Sequence, residues 1–377
     1  MKKSILAACI LAGVSSVPVL AQDDADLREA LAKQQKEIET LQARLNVAVD
    51  KLDEKQAGTE SNTKIGGYGE LHYNNTDGGD ELDVHRFVLF LNHKFSDSVR
   101  FYSELEVEHS LVGEDGPGEV ELEQAYIAHR LSDTSVAKYG LFLVPVGILN
   151  ETHEPNTFYG VERNPVEKNI VPTTWREGGA GLVLHPKGGW QFDFAVTGGL
   201  NVPTTGGQAY LVREGRQKVA KAKADNLAFT GRVKFTGIAG LELAATMQWQ
   251  DDVTQGVEGV EATLFSAHGV YKKGPFELRA LYAAWSLDGA GAEALGRDEQ
   301  SGWYIEPSYR LSDKLGVFAR YNEWDNEAGN SADTVKEQTD VGINYWLHPN
   351  VVLKADYSSF DGALDGHALN LGVGYAF

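Results

Sequence analysis

ALNLGVGYAF, residues 368–377, decides the fold. Leu369, Leu371, Val373, Tyr375 and Phe377 share one face of an extended segment, and Asn370, Gly372 and Gly374 share the other, because successive side chains on a strand point to opposite sides. VVLKADYSS (351–359) repeats the pattern, with Val351, Leu353, Ala355 and Tyr357 set against Lys354 and Asp356. LELAATMQWQ (241–250) turns Glu242, Thr246, Gln248 and Gln250 to its polar side. In a soluble sandwich the apolar face would meet a core. Here strand after strand carries charge on the opposite face, the pattern that lipid outside and water inside demand.

Such segments recur from residue 64 to the end. They start near 64, 84, 99, 119, 136, 176, 190, 226, 240, 262, 276, 301, 315, 335, 351 and 368, which makes sixteen. The even-numbered connections are short (FSDS, LSDTSVA, HPKGG, TGIAG, KKGP, LSDK, HPN), and the odd-numbered ones are longer, such as LVGEDGPGE and DNEAGNSADTVKEQ. Short inner turns and long outer loops are the asymmetry of an antiparallel transmembrane β-barrel, so the fold class is all-β with sixteen strands. Trp190, Trp249, Trp285, Trp303, Trp324 and Trp346 fall near strand ends, where amphipathic rings prefer the headgroup level.

The residues before the barrel differ. MKKSILAACILAGVSSVPVLA (1–21) reads as a signal peptide, with Lys2 and Lys3, an apolar run and a small-residue site at Val19-Leu20-Ala21. A rival lipoprotein box, Leu6-Ala7-Ala8-Cys9, would leave an apolar core of only about five residues, short of the usual 7–15. Within residues 22–57, Leu27, Gln34, Leu41 and Ala48 interleave at heptad spacing with Leu31, Ile38, Leu45 and Leu52. That narrow, sustained stripe favours a short periplasmic coiled-coil helix over a solitary amphipathic one. Residues 58–63 form a linker, and 64–377 the barrel.

A net charge of −20, or −22 once Lys2 and Lys3 leave, excludes nucleic acid as a partner. Ten histidines scattered along the chain and no clustered catalytic set point away from an enzyme, and no cofactor or metal is expected. His153-Glu154 does not match His-Glu-x-x-His, so a hydrogen-bonded loop pair is the expectation there.

ETHEPNTFYGVERNPVEKNIVPTTW (151–175) belongs to the third outer connection, and loops of this length are usually functional. A sixteen-stranded barrel is too wide to be filled by its own wall. The loop's Phe158, Tyr159, Val161, Ile170 and Val171 suit inward folding, and Pro155, Pro165 and Pro172 stiffen it. Its Glu151, His153, Glu154, Glu162, Arg163, Glu167 and Lys168 are then candidates for the aperture, the alternative being an outer cap or a latch onto a neighbouring subunit. Alternation assigns Arg100, Glu104, Glu106, Glu108, Glu121 and Glu123 to one lumen wall, and Arg232, Lys234, Arg279, Arg310 and Arg320 to another. Opposed walls of opposite sign would give a transverse field; mixed charges hydrating a wet interior are the plainer reading. Arg213, Arg216, Lys218, Lys221 and Lys223 of the fourth outer loop are expected to meet lipopolysaccharide phosphates, to gather anions or to be solvated.

ELEQAYIAHR, GLFLVPVGILNETHEPNTFYG, VERNPVEK and PTTWREGGAGL resemble the phosphate-selective porin O/P family of Gram-negative outer membranes, over roughly residues 64–377. The resemblance implies a homotrimer of sixteen-stranded barrels with the third loop folded into each pore. The family's arginine ladder is missing, so phosphate specificity does not carry over. The function expected is passive diffusion of small hydrophilic solutes through an outer-membrane pore narrowed by the third loop. An anion- or phosphate-selective channel, or a tether to peptidoglycan through the coiled coil, is the alternative. Further partners expected are outer-membrane lipids and the barrel-assembly machinery, through Phe377.

Overall fold

The computed structural model describes residues 61–113 and 116–377. The signal peptide, the coiled coil and half of the linker (58–60) lie outside the described residues. Sixteen strands follow in order. β1 (Thr63–Thr76), β2 (Gly79–Lys94), β3 (Val99–Glu108) and β4 (Val120–Ser132) come first. β5 (Ser135–Leu143), β6 (Arg176–Leu184), β7 (Trp190–Thr197) and β8 (Ala228–Ile238) continue the wall. β9 (Leu241–Gln250), β10 (Glu261–Lys273), β11 (Phe276–Asp288) and β12 (Glu299–Arg310) follow, and β13 (Leu315–Asp325), β14 (Lys336–His348), β15 (Val351–Gly362) and β16 (Gly366–Ala376) complete it.

Each strand pairs antiparallel with its sequence neighbours, and β1 pairs with β16 to close the cylinder. Phe377 seals the seam, exchanging backbone hydrogen bonds with Gly67 at 2.9 and 3.0 Å. Closure leaves no free edge, the condition for a sheet in lipid. The face pattern is inside out relative to a soluble protein. Leu353, Tyr357, Leu369, Leu371 and Tyr375 are exposed, while Lys354, Asp356, Ser358 and Asn370 between them are buried.

At one end of the barrel the turns are tight: 95–98, 133–134, 185–189, 239–240, 274–275, 311–314 and 349–350. At the other end, connections 109–119, 144–175, 198–227, 251–260, 289–298 and 326–335 are long. Two odd-numbered connections depart from the expected length, since 77–78 and 363–365 are as tight as the inner turns. In the first, Thr76 Oγ1 accepts from Gly78 N at 3.2 Å and Gly79 sits at φ +130°. The polar residues expected to form a loop extend β1 and β2 instead.

The tryptophans also divide. Trp190 is exposed, and Trp249 and Trp303 share the outward face of their strands. Trp285, Trp324 and Trp346 are buried on the inner face, a correction to the headgroup expectation. Trp285 stacks near Trp175 at 5.9 Å and donates to Ile170 O at 2.9 Å, so it serves the third loop rather than the lipid surface. Around it Val144, Ile170, Trp175, Leu200, Val212, Val253, Val260 and Ala292 form an apolar core, drawn from four loops at the loop end of the barrel.

Candidate functional site

Connection 144–175, called loop 3 below, leaves the wall at Val144 and returns at Trp175 through one neck. Val144 N donates to Trp175 O at 2.9 Å. Asn150 zips the two arms, donating to Val144 O at 2.8 Å and Trp175 O at 3.0 Å while accepting from Trp175 N at 2.7 Å. Beyond the neck the loop crosses the barrel, held by inward side chains from most of the wall. Arg86 of β2 donates to His153 O at 2.8 Å, Asn344 of β14 to Phe158 O at 3.1 Å, and Lys354 of β15 to Gly160 O at 2.8 Å. Asp356 accepts from Val161 N at 2.6 Å, and Arg279 donates to Thr157 O at 3.0 Å. A single helical turn, α1 (Val166–Asn169), begins at Pro165.

The loop's charged residues sort by side. Glu162, Arg163 and Lys168 face a cavity of about 760 Å³ toward the loop end of the barrel, which His72, Asn74, Asp80 and Asp83 also line. Glu151, His153 and Glu154 face a cavity of about 190 Å³ on the turn side, beside Tyr102 and Glu104. A third, of about 220 Å³, lies between Thr157–Tyr159 and Arg279, Arg310 and Trp346. Glu162 is tethered to His72 Nδ1 at 3.0 Å and Asn74 Nδ2 at 3.1 Å. Burial alone would raise its pKa, but the hydrogen bond and charge of His72 outweigh that and hold the carboxyl well below its usual range. Arg163 donates to Thr174 at 2.8 Å. Glu167 does not face the aperture: it is buried and accepts from Ile148 N (2.6 Å), Leu149 N (2.7 Å), Asn164 Nδ2 (3.0 Å) and Tyr304 OH (3.0 Å).

On the acidic wall, Glu104, Glu106 and Glu123 are buried. Glu123 follows inward from Glu121 by alternation, and a β-bulge then brings Gln124 to the same side: Glu104 pairs with Gln124 and Leu105 with Leu122. A bulge lets neighbouring side chains turn to one face, and Gln124 donates to Glu104 Oε2 at 2.8 Å from that same side. Glu121 is paired with Arg176 and Lys218, and Glu108 lies beside it near the loop end. Arg100 sits apart, exposed near the inner turn.

Most of the basic wall is neutralised locally, in keeping with the reading of mixed charges rather than of opposed walls. Arg232 binds Asp193 at 2.8 Å and also Glu151 of the loop; Arg320 binds Asp340 at 2.9 Å and Glu306 at 3.2 Å. Arg279 pairs with Glu277 at 2.7 Å, and Lys234 stands 3.9 Å from Glu242. Arg310 lies over the Trp346 ring at 3.5 Å. In the fourth loop, Arg216 reaches Thr173 O and Arg213 reaches Asn169, so these two brace loop 3, while Lys218 reaches back to Glu119 and Glu121 at the head of β4; Lys221 and Lys223 stay exposed.

The structure also assembles residues that alternation had not singled out. Glu70 and Arg86 pair at 2.5 Å inside β1 and β2. His72 stacks on His85 at 4.6 Å, and His109 follows at 5.8 Å, with Asp83 touching both of the latter. Three of the ten histidines, His72, His85 and His109, therefore gather at the outer cavity. A second bulge, between Glu70 and His72 in the β1–β2 register, turns His85 and Arg86 inward together. Inward alternation from Tyr68 would have found Glu70 and His72; the bulge has no plain sequence signal.

A closed sixteen-stranded cylinder with a polar, loop-crossed interior defines an outer-membrane barrel of porin type, and a model of the Gram-negative porin family matches residues 189–363. The chain is 31% identical over 338 residues to an uncharacterized protein of Aquifex aeolicus (strain VF5), spanning 78% of this chain and 74% of that one, and belongs to one family with it. Among solved structures it is similar to an anion-selective porin from Comamonas acidovorans (15% identity, TM-score 0.61, 84% of this chain and 100% of that one). It is also similar to Salmonella typhi OmpF (13%, 0.60, 84% and 97%) and to a trimer form of Vibrio cholerae OmpT (12%, 0.59, 84% and 99%). At these identities the likeness shows the fold. The closed sheet and its inside-out faces are those of an outer-membrane β-barrel.

Proposed function

We propose that the protein is a passive diffusion pore for small hydrophilic solutes and ions, narrowed by loop 3. The observation carrying this reading is the pair of polar compartments on either side of one inwardly folded loop, about 760 Å³ toward the loop end and about 190 and 220 Å³ toward the turn end. Preference for cations follows from the charge pairing. Arg232, Arg279 and Arg320 each have a carboxylate partner, and the outer cavity carries Asp80, Glu81, Asp83 and Glu162 against only Arg163 and Lys168. An anion- or phosphate-selective channel finds no ladder of free arginines among the described residues. Membership of the phosphate-selective O/P group, a homotrimer, a periplasmic coiled coil reaching toward peptidoglycan, and recognition of Phe377 by the assembly machinery complete the proposal.

Reversal potentials in a potassium chloride gradient across a planar bilayer test it. Conductance with cation preference is the expected result. Purified protein that conducts nothing would remove the pore, and anion preference blocked by added phosphate would favour the alternative channel.

A further inference from the structure

Where loop 3 crosses the β3–β4 wall, three side chains converge. His153 Nε2 stands 3.5 Å from Glu123 Oε2 and 3.8 Å from Glu104 Oε1. All three residues are buried, Glu123 completely. Neither oxygen of Glu123 has a hydrogen-bond partner, and His153 Nε2 has none. Unsatisfied buried polar atoms are rare in folded proteins, and each asks for a ligand or another physical cause.

The hydrogen bonds around the cluster sharpen the question. His153 Nδ1 lies 3.2 Å from Asn150 O. A carbonyl oxygen only accepts, so Nδ1 carries a proton; Nε2 makes no hydrogen bond to either carboxylate, and in the neutral ring it turns its lone pair toward both. Lone pairs facing lone pairs repel unless a cation lies between them. Arg86 does not fill that role: it is engaged by Glu70 at 2.5 Å, Tyr68 OH at 3.3 Å and His153 O at 2.8 Å.

We propose that Glu104, Glu123 and His153 bind a divalent transition-metal ion that fastens loop 3 to the β3–β4 wall. Zinc lies about 2.0–2.2 Å from nitrogen and oxygen donors, which puts tetrahedral neighbours roughly 3.4 Å apart; the separations of 3.5 and 3.8 Å come close to that. The imidazole favours zinc-like ions over calcium or magnesium, which take oxygen donors. Two carboxylates balance the ion's charge. Asn150 O on the imidazole and Gln124 Nε2 on Glu104 (2.8 Å) are the outer hydrogen bonds that orient metal ligands. The turn-side cavity, lined by Glu104 and His153, gives the ion its path and leaves space for a water as fourth ligand.

Full-length protein in detergent, stripped with a chelator, is titrated with zinc by calorimetry and with cobalt(II) by visible absorption. One site per chain is expected, with tetrahedral cobalt bands. E123Q and H153Q should each weaken binding at least tenfold, and zinc should slow proteolysis of loop 3. H85Q/H109Q removes the separate histidine cluster beside Asp83 and should leave the site intact. The proposal is overturned if stripped wild-type protein binds no zinc, if E123Q and H153Q bind as wild type does, or if H85Q/H109Q abolishes binding. Should either ligand variant fail to show folded-barrel gel mobility, E104Q and the wild-type cobalt spectrum decide instead. None of these readouts involves conduction, so the site and the pore stand or fall separately.

Discussion

Replacing Glu167 with alanine should loosen loop 3 without opening the barrel. The carboxylate accepts from two backbone amides, Ile148 N at 2.6 Å and Leu149 N at 2.7 Å, and from Tyr304 OH on β12 at 3.0 Å. It thereby ties the entering arm of the loop to the returning arm and both to the wall. Each buried amide left without an acceptor costs about 1–3 kcal/mol, so the two together cost roughly 2–6 kcal/mol before Tyr304 is counted. The lower bound already shifts the docked–undocked equilibrium about 30-fold. None of these bonds belongs to the sheet ladder, so folded-barrel gel mobility should be retained. Limited proteolysis should cut loop 3 faster, and single-channel records should show greater noise and higher mean conductance. E167Q, which keeps one acceptor oxygen, should fall between. Wild-type protease resistance and wild-type noise in E167A would refute the reasoning.

Three further outcomes can be checked. A Cβ on Gly374 of β16 would collide with the Pro155 ring, so G374A should displace the loop tip at a cost of about 1–3 kcal/mol, visible as faster proteolysis near residue 155; unchanged cleavage would count against the packing. Lys354 donates to Gly160 O at 2.8 Å and lies 3.6 Å from the centre of the Phe158 ring; K354M should raise current noise, and a silent substitution would show that the wall does not need this contact. Because the Glu162 carboxyl titrates below its ordinary value of 4.5 when docked, its contribution is complete above that value and is lost as pH falls further. Acid should therefore raise loop-3 noise in the wild type, with a smaller rise in E162Q; equal slopes in both would exclude this tether.

Period-two alternation made the barrel legible, because a water–lipid boundary on every strand leaves each residue only two environments. The starts of β3, β6, β7, β11, β13 and β15 follow directly from it, and β2 starts earlier than expected because Asp80–Asp83 join the strand. The inward fold of loop 3 could be read from its apolar residues and prolines. Alternation placed Glu121 and Glu123 inward, but it failed past the bulges, as at Arg86 and Gln124, since one extra residue reverses the side of everything after it. It also could not tell a tryptophan facing lipid from one facing a loop: Trp303 and Trp285 occupy similar strand positions on opposite faces. Glu167 looked like an aperture residue because its amide donors lie 18 and 19 positions earlier, a separation no local pattern reveals.

The seam between β1 and β16 also has a second role. Val161 packs on Gly372 and Pro155 on Gly374, so the final strand presents its bare backbone where the plug-like segment rests. The residues of β16 thus complete two things at once, the ring and the seat inside it. A chain lacking them would keep an open edge and a lodger without a berth, and quality control at the membrane would meet both faults as one.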